Sequence, residues 1–285
     1  MKLVSFKQGN RASFGALIND RIADLGGCWP SLKMAIADGA TPAQFQEAAS
    51  NAPLLQLAAV TLDLPVPDAQ RFVCAGLNFR AHALEGGHQD APKFPSVFLR
   101  SASTFVAHGQ PLLKPDWSDS FDYECEMAVV IGRGGRNITV EEAMEHVFGY
   151  TLLMDGSMRD VQFSHSLAAG KNFFASGSIG PWIVTADEIA DPTTLQLMGR
   201  VNGEQRQSAP IADLIFNIAT LISYWSQVDA LSPGDLISVG TPSGVGFAME
   251  PKRFLQPGDV VETEVPGVGI LRNVVAATSQ RPDLQ

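Results

Sequence analysis

Three acidic residues in the middle of the chain could together bind a hard cation. Glu124 and Glu126 lie two residues apart in residues 122–132, which alternate polar and apolar side chains at first, as a strand does. Because side chains on a strand alternate between its faces, the two carboxylates point the same way. Asp155 follows a second strand-like run, residues 148–154. It completes an all-oxygen set of the kind that Mg²⁺, Mn²⁺ or Ca²⁺ prefers.

The same alternation has a simpler explanation. Polar residues at every second position are typical of an edge strand with one solvent-facing side, and the pattern alone favours that interpretation. Two neighbouring carboxylates resist joint ionisation unless water or a cation lies between them. Either a wet edge strand or a cation site therefore accounts for Glu124 and Glu126.

A histidine and a glutamate form a second candidate pair. Residues 71–77 have the pattern of a strand that leads into a short helix, with Asn78 as its expected N-cap. His82 and Glu85 then lie three residues apart on one helix face, where they can touch. A carboxylate beside an imidazole can act as a general base near neutral pH, but such pairs are also common as plain surface contacts.

The elements that must position these residues are predicted to be mainly strands. Residues 1–66 read as short strands followed by short helices at 31–37, 41–49 and 53–58, which predicts a small N-terminal α/β domain. The proline-rich residues 64–68 connect it to a second, catalytic domain at 67–285.

The second domain has further strand-like runs and one long amphipathic helix. This helix is expected at residues 213–226, with Asp213 as its cap. Asn202 and Gly203 suit a hairpin turn. The glycines of residues 240–246 let backbone amides approach an anion closely, but the P-loop lysine is lacking and such loops are usually plain turns. The order of elements predicts a strand-rich α+β fold.

Composition excludes several classes of protein. With 285 residues and 45% hydrophobic side chains the chain can bury a substantial core, and a net charge of −10 argues against nucleic acid as a partner. No apolar run approaches the length of a membrane span or forms a signal-peptide core, so a cytoplasmic location without membrane partners is expected. Cys28, Cys74 and Cys125 share no CxxC spacing, which indicates neither disulfides nor a thiolate zinc site.

Taken in order, these motifs resemble the fumarylacetoacetate hydrolase family over residues 71–273. Each motif is weak alone, but the ordered set is specific, and it favours the cation site over the wet edge strand. The matching residues are Gly76, Leu77, Asn78, Phe79, His82, Glu85, Asp122, Tyr123, Glu124, Glu126, Gly149, Tyr150, Thr151, Asp155, Ser157, Arg159, Asp160, Gln162, Gly170, Lys171, Gly180, Pro181, Trp182, Asn202, Gly203, Glu204, Pro233, Gly234, Asp235, Gly240, Thr241, Pro242, Gly244, Val245 and Gly246.

The resemblance implies a rolled mixed β-sheet, usually in a homodimer, and a role for each matching site residue. Glu124, Glu126 and Asp155 are implied as ligands of Mg²⁺ or Mn²⁺. His82 and Glu85 fall on the family's water-activating pair, and Lys171 falls on its cationic contact at the reacting oxygen. The implied substrate contacts are Arg159, Gln162 and Thr241. The sequence departs from the family at Ala81, Arg100 and Val239, where an acidic residue, lysine and threonine are frequent.

The implied activity is metal-dependent hydrolysis of a carbon–carbon bond in a 2,4-diketo acid of the acylpyruvate type, which gives pyruvate and a carboxylic acid. Residues 170–182 resemble a subgroup that acts in sugar-acid or aromatic-acid catabolism, on substrates such as 2,4-diketo-3-deoxyrhamnonate. The same scaffold also supports an oxaloacetate-type decarboxylase and a dienoate isomerase or hydratase. A non-catalytic dicarboxylate-binding protein is a further alternative, against which the intact His82, Glu85 and Lys171 count.

Overall fold

Strands predominate in residues 1–280, the part of the chain that the computed structural model describes. The strands are β1 (Lys2–Gln8), β2 (Arg11–Ile18), β3 (Arg21–Asp24), β4 (Leu54–Gln56), β5 (Thr61–Leu62), β6 (Phe72–Gly76), β7 (Ser96–Arg100), β8 (Phe105–Ala107), β9 (Leu112–Lys114), β10 (Phe121–Asp122), β11 (Cys125–Ile131), β12 (Val147–Met154), β13 (Ser157–Met158), β14 (Gly177–Thr185), β15 (Gln196–Val201), β16 (Glu204–Pro210), β17 (Leu236–Ser238), β18 (Val260–Val265) and β19 (Gly269–Ala277). The α-helices are α1 (Leu32–Ala37), α2 (Pro42–Asn51), α3 (Arg80–Glu85), α4 (Arg159–Ser164), α5 (Leu167–Lys171) and α6 (Ile218–Val228). The predicted strand-rich α+β fold is confirmed.

The acid-bearing strand β11 lies in the middle of the largest sheet. This mixed sheet has the order β4-β3-β2-β1-β14-β12-β11-β17-β6-β7, with β5 also paired to β1 and β8 to β14. A five-stranded sheet has the order β16-β15-β18-β19-β9, and β10 pairs with β13. Because β11 is hydrogen-bonded to β12 on one side and β17 on the other, the edge-strand explanation of its glutamates is wrong.

Both faces of β11 are covered by apolar side chains. Met127 and Val129 belong to a buried cluster that also contains Val261 of β18. Ala128 and Val130 point to the opposite face and belong to a second cluster, which contains Phe45 of α2. Since neither face meets water, the strand is apolar at every position after Glu126. The two glutamates near its start are therefore carried into the protein interior.

The N-terminal segment continues the large sheet. Strand β1 pairs with β14 through Lys2 opposite Val184. The predicted helices at 31–37 and 41–49 are confirmed as α1 and α2, and Thr41 caps α2 through a capping box. The predicted helix at 53–58 is wrong, because residues 54–56 pair with β3 as strand β4. The predicted division between residues 66 and 67 is not tested by this pairing and stays a prediction.

The long helix begins later than the sequence pattern indicates. Helix α6 starts at Ile218, and Asn217 caps it by accepting from the Thr220 backbone N–H. Asp213 instead ends a short 3₁₀ turn, so its predicted role as the cap is wrong. The hairpin at Asn202 is confirmed by the pairing of β15 with β16. No helix within residues 1–280 is long and apolar enough to span a membrane.

Asn78 does not cap α3, contrary to the sequence-based prediction. Its buried side chain donates to the Phe216 and Val239 carbonyl oxygens at 2.9 and 2.8 Å. Its Oδ1 accepts from the Phe216 N–H at 2.8 Å. Phe79 lies at the N-cap position without a side-chain hydrogen bond to the helix. Asn78 thus ties the start of α3 to distant segments of the chain.

Candidate active site

The ends of β11 and β12 bring Glu124, Glu126 and Asp155 together. The two strands pair with Cys125 opposite Met154, so Glu124 and Asp155 both lie just beyond the last pair. The Asp155 N–H donates to the Glu124 carbonyl oxygen at 2.8 Å. Side-chain oxygens from all three buried carboxylates lie within 4.8 Å of one another. The predicted acidic cluster therefore exists, and it could hold a divalent cation.

The chemistry of this cluster fits Mg²⁺ or Mn²⁺. Its donors are all carboxylate oxygens, which both ions prefer. One oxygen of Glu126, Oε1, is buried without any hydrogen-bond partner. An unpaired buried carboxylate oxygen is costly, and a cation beside it would satisfy it.

Glu124 and Glu126 lie in different electrostatic environments. Burial raises the pKa of both carboxyl groups, because it disfavours the charged form. At Glu124 the positive charges of Lys171 and Arg159 outweigh burial and lower the pKa from its usual 4.5 to about 2. At Glu126 burial, Asp155 and Glu124 all act in the same direction, and they raise the pKa well above 4.5. Glu126 is therefore the ligand candidate whose charge most needs a cation.

Lys171 lies directly against two of the three carboxylates. It is the last residue of α5, and its Nζ donates to Glu124 Oε2 at 2.6 Å and to Asp155 Oδ2 at 2.8 Å. Burial lowers the pKa of Lys171, but the charges of Asp155 and Glu124 outweigh it and raise the pKa above its usual value. Lys171 therefore stays a cation at neutral pH. Its contact with a reacting oxygen stays a prediction.

Arg100 is a residue of the site to which sequence reasoning assigned no role. Its fully buried side chain donates from Nη1 to Asp155 Oδ1 at 2.5 Å and from Nη2 to Ser176 Oγ at 2.8 Å. Its Nε donates to Thr104 Oγ1 at 3.2 Å. Planar guanidinium geometry allows these contacts together, and a lysine would make fewer of them. The sequence feature that could have pointed to Arg100 is that the family frequently has lysine at this position.

His82 and Glu85 form the predicted pair on α3. His82 Nδ1 lies 2.9 Å from Glu85 Oε1, and both side chains are largely buried. Because an ionised carboxylate only accepts, we assign the proton of the imidazole to Nδ1, which leaves Nε2 as an acceptor. The Glu85 carboxylate also accepts from the Gly244 N–H at 2.9 Å. A neutral imidazole held in this tautomer can remove a proton from a substrate or from water.

A cavity of about 150 Å³ joins the two groups of residues. The polar side chains on its wall are His82, Glu85, His88, Ser96, Glu124, Arg159, Gln162 and Lys171, and apolar ones include Leu77, Phe98, Leu167, Val245 and Phe247. A wider cleft of about 760 Å³ beside Trp29 is open and has no comparable set of acid, base and cation. The smaller cavity is therefore the candidate active site.

The three predicted substrate contacts are placed differently. Arg159 donates to Asp122, to Gln162 Oε1 and to Glu124, while its buried Nη2 has no hydrogen-bond partner. Gln162 lies on the cavity wall next to Arg159. Thr241 is not on the wall, because its hydroxyl donates to the Cys125 carbonyl oxygen and accepts from Gln207. The substrate contacts themselves stay predictions.

Comparison with protein families matches residues 71–276 to the family described as fumarylacetoacetate (FAA) hydrolase, C-terminal. The chain is 39% identical to the oxaloacetate tautomerase YisK of Bacillus subtilis (strain 168) over 226 residues, which are 78% of this chain and 75% of the relative.

Solved structures with the same fold are also similar in sequence. The fumarylacetoacetate hydrolase EaFAH of the psychrophile Exiguobacterium antarcticum has a TM-score of 0.86 and 35% identity, over 97% of this chain and 99% of that one. The maleylpyruvate hydrolase of Sphingobium sp. SYK-6, solved in complex with manganese(II) and pyruvate, has a TM-score of 0.82 and 29% identity, over 97% and 99% of the two chains.

Proposed function

Because the chain belongs to the fumarylacetoacetate hydrolase family, we propose that it is a metal-dependent enzyme that interconverts the keto and enol forms of oxaloacetate. This proposal follows the oxaloacetate alternative from the sequence more closely than hydrolysis of a 2,4-diketo acid. The similarity to an oxaloacetate tautomerase over 78% of this chain supports that choice. Glu124, Glu126 and Asp155 would hold the Mg²⁺ or Mn²⁺.

The observation that carries the proposal is the position of one base and one cation on the same small cavity. Tautomerisation moves one proton between C3 and the 2-oxo oxygen, so it needs a base and a positive charge at the oxygen. His82 and Lys171 both line the cavity of about 150 Å³, whose size suits a short 2-oxo acid.

The residues of the chain divide the reaction between them. When bound, the metal ion would act as a Lewis acid that favours negative charge on the 2-oxo oxygen. His82 Nε2 takes the proton from C3 while Glu85 stabilises the imidazolium that forms. Lys171 remains charged and stabilises the enolate oxygen by its charge. His82 then delivers the same proton to that oxygen, which completes the conversion of the keto form to the enol. Arg159, which lines the cavity, binds a substrate carboxylate through its guanidinium group.

Hydrolysis of an acylpyruvate is the second candidate. The His82–Glu85 pair supports it, because the same base could deprotonate a water for attack on the 4-carbonyl. The structural similarity to a maleylpyruvate hydrolase supports it as well. The narrower substrate, a 2,4-diketo-3-deoxy sugar acid, and the homodimer stay predictions from the resemblance. The cytoplasmic location stays a prediction from the apolar runs of the sequence.

One experiment separates the candidates. Purified protein, stripped of metal and then loaded with Mn²⁺ or Mg²⁺, is given enol oxaloacetate, and the loss of enol absorbance is followed in the ultraviolet. In parallel, a panel of acylpyruvates is assayed for pyruvate release, and oxaloacetate for carbon dioxide. His82→Ala serves as the control that retains the acidic cluster.

We expect metal-dependent loss of enol absorbance that His82→Ala abolishes, without stoichiometric carbon dioxide. Metal-dependent pyruvate release from an acylpyruvate, with no faster tautomerisation than in buffer, would replace the proposal with hydrolysis. Carbon dioxide release at the rate of enol loss would instead assign a decarboxylase.

A further inference from the structure

Residue Gly244 links the acid-bearing segment to the His82–Glu85 pair. Its backbone N–H donates to Glu85 Oε2 at 2.9 Å and to Oε1 at 3.2 Å. Its carbonyl oxygen accepts from the Tyr123 hydroxyl at 2.9 Å. Tyr123 immediately precedes the metal-ligand candidate Glu124. One peptide segment thus connects Glu85, the partner of the base His82, to the residues that precede the acidic cluster.

The path of this segment is narrowly determined. Gly244 has a φ of +106°, and a Cβ there would lie 1.9 Å from the Arg206 carbonyl oxygen, so only glycine fits. Two residues further on, the Gly246 N–H donates to the buried Asp122 carboxylate at 2.8 Å. The segment is therefore anchored, directly after the N–H that binds Glu85, by the consecutive residues Asp122 and Tyr123.

Helix α3 depends on such external contacts for its position. It has only six residues and no side-chain N-cap, and a helix this short is not stable by itself. Tyr123, by contrast, is 1% exposed and belongs to the main apolar cluster, so its ring has little freedom. The tyrosine is therefore the fixed end of the Tyr123–Gly244–Glu85 chain of hydrogen bonds, and the short helix depends on this chain for its position.

We propose that Tyr123 is a positioning residue for the reaction, since its hydroxyl, acting through Gly244, holds the Glu85 carboxylate and thereby orients His82 toward the cavity. This inference rests on the proposed function only in assigning His82 as the base. Tyr123 itself does not line the cavity and touches neither substrate nor metal. Loss of its hydroxyl should misorient His82 without weakening metal binding.

The test is Tyr123→Phe, which removes only the hydroxyl. We expect kcat for enol loss to fall about tenfold, which is about 1.4 kcal/mol, while KM and the Mn²⁺ dissociation constant change less than twofold. The matched control is Tyr150→Phe, which removes the hydroxyl of another buried tyrosine that does not contact Gly244. It should leave kcat unchanged.

A spectroscopic readout separates positioning from general weakening of the fold. In protein labelled with ¹⁵N-histidine, the His82 Nδ1–H resonance, assigned by its loss in His82→Ala, should shift or broaden in Tyr123→Phe and stay in place in Tyr150→Phe. In a Glu85→Gln background, Tyr123→Phe should cause no further loss of kcat, since the two changes act through one link. In the wild type, slow exchange of the Gly244 amide proton that Glu85→Gln accelerates would support the Gly244–Glu85 part of the link.

An unchanged His82 resonance and kcat in Tyr123→Phe would overturn the proposal, and so would equal losses in both tyrosine variants. The resonance does not depend on the substrate. If the wild type fails to tautomerise oxaloacetate, the proposed function is wrong, while the His82 resonance in Tyr123→Phe and Tyr150→Phe still decides the role of Tyr123.

Discussion

Glu124 and Glu126 lie two residues apart and are both candidate ligands, yet their conversion to glutamine should change metal-free stability in opposite directions. Glu124 is held by Lys171 and Arg159, which lower its pKa from 4.5 to about 2. At about 1.4 kcal/mol per pKa unit, this shift corresponds to roughly 3 kcal/mol of stability at neutral pH. Glu124→Gln should forfeit most of it.

Glu126→Gln should instead stabilise the metal-free protein. Burial, Asp155 and Glu124 raise the Glu126 pKa, and Oε1 lacks a partner, so the folded state resists its charge. The amide of glutamine carries no charge and can donate to the neighbouring carboxylates. Removal of a buried carboxyl group whose ionisation the folded state disfavours is expected to contribute about 1–3 kcal/mol. At this chain length each kcal/mol shifts the melting temperature by about 2 °C.

The measurement is thermal and urea unfolding in EDTA at pH 7.5, with Glu262→Gln on β18 as a control outside the site. The pH dependence checks the sign for each group. The Glu124 contribution is complete above pH 4.5 and is lost as the pH falls towards 2. The gain from Glu126→Gln is absent below 4.5 and grows as the pH rises above it, because only the unfolded state then ionises.

Both variants should lose Mn²⁺ binding in isothermal titration calorimetry, whatever their stability. Stability changes of the same sign in Glu124→Gln and Glu126→Gln would refute the electrostatic reasoning. Retained Mn²⁺ affinity in both would refute the assignment of the cation site.

Three further outcomes are expected. Arg100→Lys should weaken Mn²⁺ binding by about 10–100-fold in calorimetry, because lysine cannot hold Asp155 and its other partners together. Asn78→Ala should lower the free energy of unfolding in urea by about 2–4 kcal/mol, because it leaves backbone groups of Phe216 and Val239 unpaired. Addition of Mn²⁺ at 100 times its dissociation constant should raise the unfolding free energy by about 2.7 kcal/mol, and EDTA should reverse the gain. No change on adding Mn²⁺ would argue against a native metal site.

Local features of the fold could be predicted from the sequence because they depend on residues that are close together in the chain. The helix predicted at 41–49 forms as α2, and its capping box at Thr41 involves residues only three apart. The spacing of His82 and Glu85 predicted their contact for the same reason. Two of the predictions that were wrong involve competition from distant partners, whereas Asp213 lost the cap of α6 to the nearby Asn217. Residues 54–56 pair with β3, and Asn78 binds segments more than 130 residues away.

The sequence by itself determined the residue types of the site, the alternation that aims Glu124 and Glu126 together, and the family to which the motifs point. Only the tertiary structure decided that β11 lies in the centre of a sheet covered on both faces. The tertiary structure alone also decided that Arg100 contacts Asp155. It likewise decided that Gly244 lies between Tyr123 and Glu85. The physical reason is that covalent spacing constrains contacts within one element, whereas burial and hydrogen bonding between segments far apart in the chain depend on how all the elements assemble.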